Sequence, residues 1–109
     1  MTDVLADRCA ALADVTIDLM RVSMECQTAP AKLSQVAPTA ARMRAVIELG
    51  TEGIENDGYL RWHDTALATL ATMDAAAERG DARAVWEAFT HPINGMAGLG
   101  QACAGYPRW

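Results

Sequence analysis

The chain has 109 residues, 51% of them hydrophobic but only 6% aromatic, and its 14 acidic against 9 basic side chains give a formal net charge of -5. Such a length allows one domain with a single core that buries roughly 65% of the unfolded surface. Lys32 is the only lysine and no basic cluster occurs, which excludes generic binding to nucleic-acid phosphates, since that rests on neutralisation by Lys and Arg. No stretch approaches the ~20 apolar residues of a membrane span, and Met1-Thr2-Asp3-Val4 lacks a positive targeting region, so the expected location is cytoplasmic. Period-two alternation is missing, and alanine, leucine and methionine favour helices; the expected class is all-α.

Thr2 or Asp3 can cap a first helix running to about Cys26. Leu5, Leu12, Leu19 and Cys26 fall one heptad apart, flanked by Val15 and Val22 on one side and by Ile17, Met20 and Met24 on the other. More than half of the circumference is apolar, whereas a surface helix needs a stripe of only about 100°. The excess requires several neighbours or a second subunit, and a homodimer is expected.

Gln27 to Pro38 loses the pattern and reads as the longest connection, because its prolines lack an amide hydrogen. Pro38-Thr39 then opens a helix with Met43, Ile47 and Ile54 on one face. Gly50 occupies the core position between the isoleucines and marks either fraying or a close backbone crossing. After the turn signal Asn56-Asp57-Gly58, Leu60, His63, Leu67, Leu70, Met73 and Ala77 trace a third helix, with His63 expected on its flank beside Leu67. Arg79-Gly80-Asp81 ends it and caps the next. A connection this short makes neighbouring helices antiparallel.

In the last quarter Trp86, Phe89, Ile93, Met96, Gly100 and Cys103 recur at spacings of 3, 4, 3, 4 and 3, a helical period. Pro92 removes the bond to the Ala88 carbonyl and pushes His91 out of helical dihedrals. The fourth helix is therefore expected in two pieces, about Asp81 to Thr90 and Pro92 to Ala104, joined by a kink. Gly95, Gly98 and Gly100 read as a surface for close backbone approach. Gly105-Tyr106-Pro107-Arg108-Trp109 leaves a short tail that either folds back or docks a partner.

Cys9 and Cys26 lie ~25 Å apart on one helix and cannot bond each other. With Cys103 they make an odd count without a Cys-x-x-Cys pair, and they read as buried free thiols. Neither histidine has a Glu three residues before it, and no clustered Cys and His occur, so no metal or cofactor is expected.

Two local resemblances add expectations. Thr90-His91-Pro92-Ile93-Asn94-Gly95-Met96-Ala97-Gly98-Leu99-Gly100 resembles the signature of histidine phosphotransfer domains, which implies His91 as a phosphoacceptor, Gly95 as the cleared turn and Ile93 as a core residue; Asn94 stands where that family has lysine. Leu60-Arg61-Trp62, Arg79-Gly80-Asp81, Phe89 and Leu99-Gly100-Gln101-Ala102-Cys103-Ala104-Gly105-Tyr106-Pro107 resemble the C-terminal half of cytochrome c′, an antiparallel four-helix bundle that is often dimeric. Cys103 would be the first haem-attachment cysteine, but Tyr106 takes the second cysteine's place and Pro107 the axial histidine's, so the attachment motif is lost.

Together these readings predict one antiparallel four-helix bundle with a kinked last helix, acting without catalysis on a partner protein. The expected partner-binding residues are His91, Asn94, Tyr106, Arg108 and Trp109. Histidine phosphotransfer through His91 is the first alternative, and a cytochrome c′-like bundle binding a small molecule without covalent haem is the second.

Overall fold

In the computed structural model, which describes residues 3–109, all regular structure is helical. Helix α1 spans Val4–Glu25, and the Asp3 carboxylate starts it by accepting the Ala6 amide at 3.0 Å. Thr2, the other expected cap, lies outside the described residues. Leu5, Cys9, Leu12, Val15, Leu19, Val22 and Cys26 are buried, while Ile17, Met20 and Met24 stay 46%, 40% and 53% exposed. The excess apolar arc of α1 is thus left uncovered by its own chain.

The segment expected to be a connection is largely ordered. Pro30–Gln35 forms a 3₁₀ turn, and α2 begins at Val36 and runs to Ile47. Pro38 falls in its first turn, where amides have no intrahelical acceptor, so the missing hydrogen costs nothing there. The chain leaves α2 before Gly50, whose φ of 84° suits glycine, and Ile54 enters the core from the following loop.

Helix α3 spans Asp57–Glu78, with the Asn56 side chain accepting the Tyr59 amide at 2.9 Å. Its buried side chains are Tyr59, Trp62, Ala66, Thr69, Leu70, Met73 and Ala76, so the buried face is rotated from the expected stripe. Leu67 is 42% exposed and Leu60 half-buried. The cause is tertiary: α3 packs against α2 and against both helices that follow it, which demands a wider apolar face than one stripe. His63 is half-buried and its Nε2 lies 3.2 Å from the Ile47 carbonyl oxygen, tying α3 to the end of α2.

Arg79-Gly80-Asp81 forms the expected tight connection. Gly80 takes a φ of 77°, and the Asp81 carboxylate accepts the Ala84 amide to start α4, Ala82–Thr90. The last helix is broken rather than kinked. Residues 91–96 form a turn, and α5 covers only Ala97–Ala102. Ile93, expected in the core, is 80% exposed because the turn takes it off the helical register.

Two of the three cysteines are paired, contrary to the free-thiol reading. Cys9 of α1 is disulfide-bonded to Cys103 just after α5, across 94 positions, and Cys26 alone is a buried free thiol. At the other end of α1, the Gln27 carboxamide donates to the Ala82 carbonyl at 2.7 Å. Ion pairs join Asp18 to Arg42 at 2.9 Å and Arg44 to Asp74 at 3.0 Å, linking α1 to α2 and α2 to α3. No helix among the described residues is long and apolar enough to cross a membrane.

Candidate functional site

The turn after α4 is built from the sequence Thr90-His91-Pro92-Ile93-Asn94-Gly95. Proline forces the residue before it toward extended dihedrals, and His91 accordingly takes φ -52° and ψ 128°. The His91 ring then folds over the turn: its Nδ1 accepts the amides of Ile93 at 3.2 Å and Asn94 at 3.1 Å. Beneath it, the Gly95 amide donates to the His91 carbonyl and the Met96 amide to the Phe89 carbonyl, both at 2.9 Å. Only glycine fits at 95, since a Cβ would stand 2.5 Å from the carbonyl oxygens of His91 and Phe89. From α3, the Thr69 hydroxyl donates to the Asn94 carbonyl at 2.7 Å.

This arrangement fixes the chemistry of His91. A ring nitrogen that accepts amide hydrogens carries no proton, so the neutral imidazole has its hydrogen on Nε2, the nitrogen left over. The outward edge of the ring is a donor while the turn is closed.

The turn lies across α3 with a hollow on each side of Asn94 and Thr65. On one side is a cleft of about 380 Å³, walled by Arg61, Trp62 and Asp64 of α3, by Pro92 and Ile93 of the turn, and by Gly98 and Gln101 of α5. On the other side a smaller hollow of about 210 Å³ lies among Thr69, Thr72, Ala88 and His91. The larger cleft carries unspent polar groups. Arg61 and Asp64 have no oppositely charged partner within 4.0 Å among the described residues. Trp62 is 3% exposed, yet its indole Nε1 finds no acceptor among them.

The expected partner-binding residues separate into two groups. His91 and Asn94 come together in the turn. Tyr106, Arg108 and Trp109 instead fold back on α1: the Tyr106 hydroxyl donates to Asp3 at 3.1 Å, Arg108 pairs with Asp14, and the Trp109 indole donates to the Cys9 carbonyl at 2.7 Å. The Arg108 guanidinium, by hydrogen bond and charge, holds the Asp14 carboxyl below the usual carboxylate range. The bond to Asp3 pushes the Tyr106 phenol up. Cys103, the expected first haem-attachment position, has its sulfur committed to Cys9.

Sequence reasoning missed Arg61, Asp64 and Gln101 as companions of the turn. Arg61 and Asp64 sit one helical turn apart on α3, but nothing local announces that Pro92 and Ile93 will cross them. Of the three glycines read as a close-approach surface, Gly95 is hemmed in by backbone, a Cβ at Gly98 would stand 3.8 Å from the Trp62 side chain, and one at Gly100 would face open space. Comparison with family models, curated proteins and solved structures finds no match for this chain.

Proposed function

We propose that the chain is a non-catalytic helical binding module that engages a partner protein through the crest of the 91–96 turn. The observation that carries this reading is the display of Ile93, 80% exposed on a turn held by bonds from His91, Gly95 and Thr69. A rigidly presented aliphatic side chain loses little freedom on docking, and an anchor of that kind supports affinity. The test is capture of partners from the source cell by wild type, Ile93→Asp and Trp109→Ala. Loss with Ile93→Asp and retention with Trp109→Ala agree with the reading; equal capture by all three refutes it.

Histidine phosphotransfer through His91 is the second reading, favoured by the exposure of the imidazole. Its cost is that Nε2 must surrender its proton before it can attack phosphorus while Nδ1 accepts two amides. Transfer of label from a phosphorylated response regulator to wild type but not to His91→Ala is its test.

Two further readings belong to the same proposal. The rods form an antiparallel four-helix bundle in which α4 and α5 share the fourth place, a reading supported by Gln27 meeting Ala82 at one end of α1 and Cys9 meeting Cys103 toward the other. A second copy covers the exposed seam of α1. The disulfide favours maturation in an oxidising compartment over the cytoplasm, where thiols are kept reduced.

A further inference from the structure

We infer that the cleft between α3 and the 91–94 turn binds a small zwitterion of dipeptide size, its carboxylate on Arg61, its ammonium on Asp64 and an aliphatic side chain against Pro92 and Ile93. This goes beyond docking on the crest of the turn, since it concerns the hollow behind it.

Size sets the first limit. A cleft of about 380 Å³ lies at the lower end of small-molecule sites, roughly 300–1,000 Å³, and suits a ligand of two residues. Charge sets the second. Residues three apart on a helix are neighbours, with Cβ atoms about 5–6 Å apart. Asp18 and Arg21 stand at that spacing on α1 and close to 3.0 Å. Arg61 and Asp64 stand at the same spacing on α3 and do not close to within 4.0 Å. An open pair of opposite charges beside a cleft is complementary to a molecule carrying both charges at its ends. A protein C-terminus brings a carboxylate without the ammonium and leaves Asp64 facing it unpaired.

The remaining polar groups match a peptide unit. The carboxamides of Asn94 and Gln101 border the same cleft and make no hydrogen bond among the described residues. Each offers both a donor and an acceptor, the complement of one amide N–H and one C=O. Trp62 lines the same cleft, and its buried indole N–H, like the Tyr59 hydroxyl, has no acceptor among the described residues, a condition that costs about 1–3 kcal/mol. Its pyrrole edge passes under Gly98, where a side chain would stand 3.8 Å from Trp62 Cδ1. Pro92 and Ile93 supply the apolar wall for the side chain.

The test is an amide-resolved NMR titration of the full chain with three probes: glycyl-L-leucine, its N-acetyl form without the ammonium, and glycyl-L-leucinamide without the carboxylate. Glycyl-leucine is expected to shift Arg61, Thr65, Asn94, Gln101 and the Trp62 indole N–H saturably at millimolar concentration. Each blocked form should bind about 5-fold more weakly, the size of one exposed charge pair. Arg61→Gln should abolish the preference over the leucinamide, and Asp64→Asn the preference over the acetyl form. No shift with any probe, or equal shifts with all three, overturns the inference. The combined variant Arg61→Gln/Asp64→Asn should still capture the partner through Ile93, so the two readings can fail separately.

Discussion

The indole of Trp109 donates to the carbonyl oxygen of Cys9, the residue whose sulfur is bonded to Cys103, so the last side chain of the sequence covers the backbone beside the cross-link. Both cysteines are fully buried. A cross-link over 94 positions removes about 4–5 kcal/mol of chain entropy from the unfolded state. Cys9→Ser/Cys103→Ser should therefore lose about 2–5 kcal/mol in urea denaturation, against about 1 kcal/mol for Trp109→Ala. Thiol titration in denaturant should find one thiol without reductant, that of Cys26, and all three cysteines with it.

The tail has an acid and an alkaline limit. The folded-state value of Asp14 is depressed by Arg108, so its contribution is full above the unfolded value of about 3.9 and is lost as pH falls through the lower, folded value. That of Tyr106 is raised by Asp3, so its contribution is full below about 10 and is lost as pH rises through the higher, folded value. The Trp109 indole N–H, followed by NMR, should exchange slowly between these limits and faster beyond each. Arg108→Gln should move the acid limb toward the ordinary carboxylate value and leave the alkaline limb in place.

What was legible in the sequence was local. Asp3 and Asp81 start helices as carboxylates one turn before free amides, and Gly80 permits the left-handed stop between α3 and α4. Pro92 announced the break that brings His91 and Asn94 together. Two of the differences have a long-range cause. The face of α3 turns toward Tyr59 and Trp62 because three other helices press on it, and the partner of Cys9 lies at the far end of the chain. Ile93 continued a helical period that Pro92 had already ended; the pattern of spacing carried less information than the missing amide. Arg61 and Asp64 carry no mark of a site until the turn is laid over them.

Within the turn, glycine and histidine contribute differently. A methyl group at Gly95 would collide with backbone oxygens of His91 and Phe89, and backbone cannot step aside as a flexible side chain can. Gly95→Ala should cost about 1–3 kcal/mol, the range of overpacked interiors. His91→Ala removes one acceptor from two amides and should cost about 1 kcal/mol, whereas His91→Asp should recover most of it, since Asp side chains accept amides two and three residues ahead. Thermal unfolding gives both totals, and hydrogen exchange at Ile93 and Asn94 locates them.

The exposed seam of α1 carries the last prediction. Ala6, Ala10, Ile17, Met20 and Met24 follow one another at spacings of 4, 7, 3 and 4, the period by which two helices interlock, with Ala13, between Ala10 and Ile17, already buried by its own chain. The small residues at its N-terminal half let a second backbone approach, and the larger ones at its C-terminal half supply area that this chain leaves in water. Two copies packed α1 on α1 bring the alanines of one against the methionines of the other when the helices run antiparallel. Sedimentation equilibrium should then show a concentration-dependent dimer, and Ile17→Glu/Met20→Glu should reduce it to a monomer with unchanged helix content. A wild type that stays monomeric at millimolar concentration would show that the seam is simply solvated.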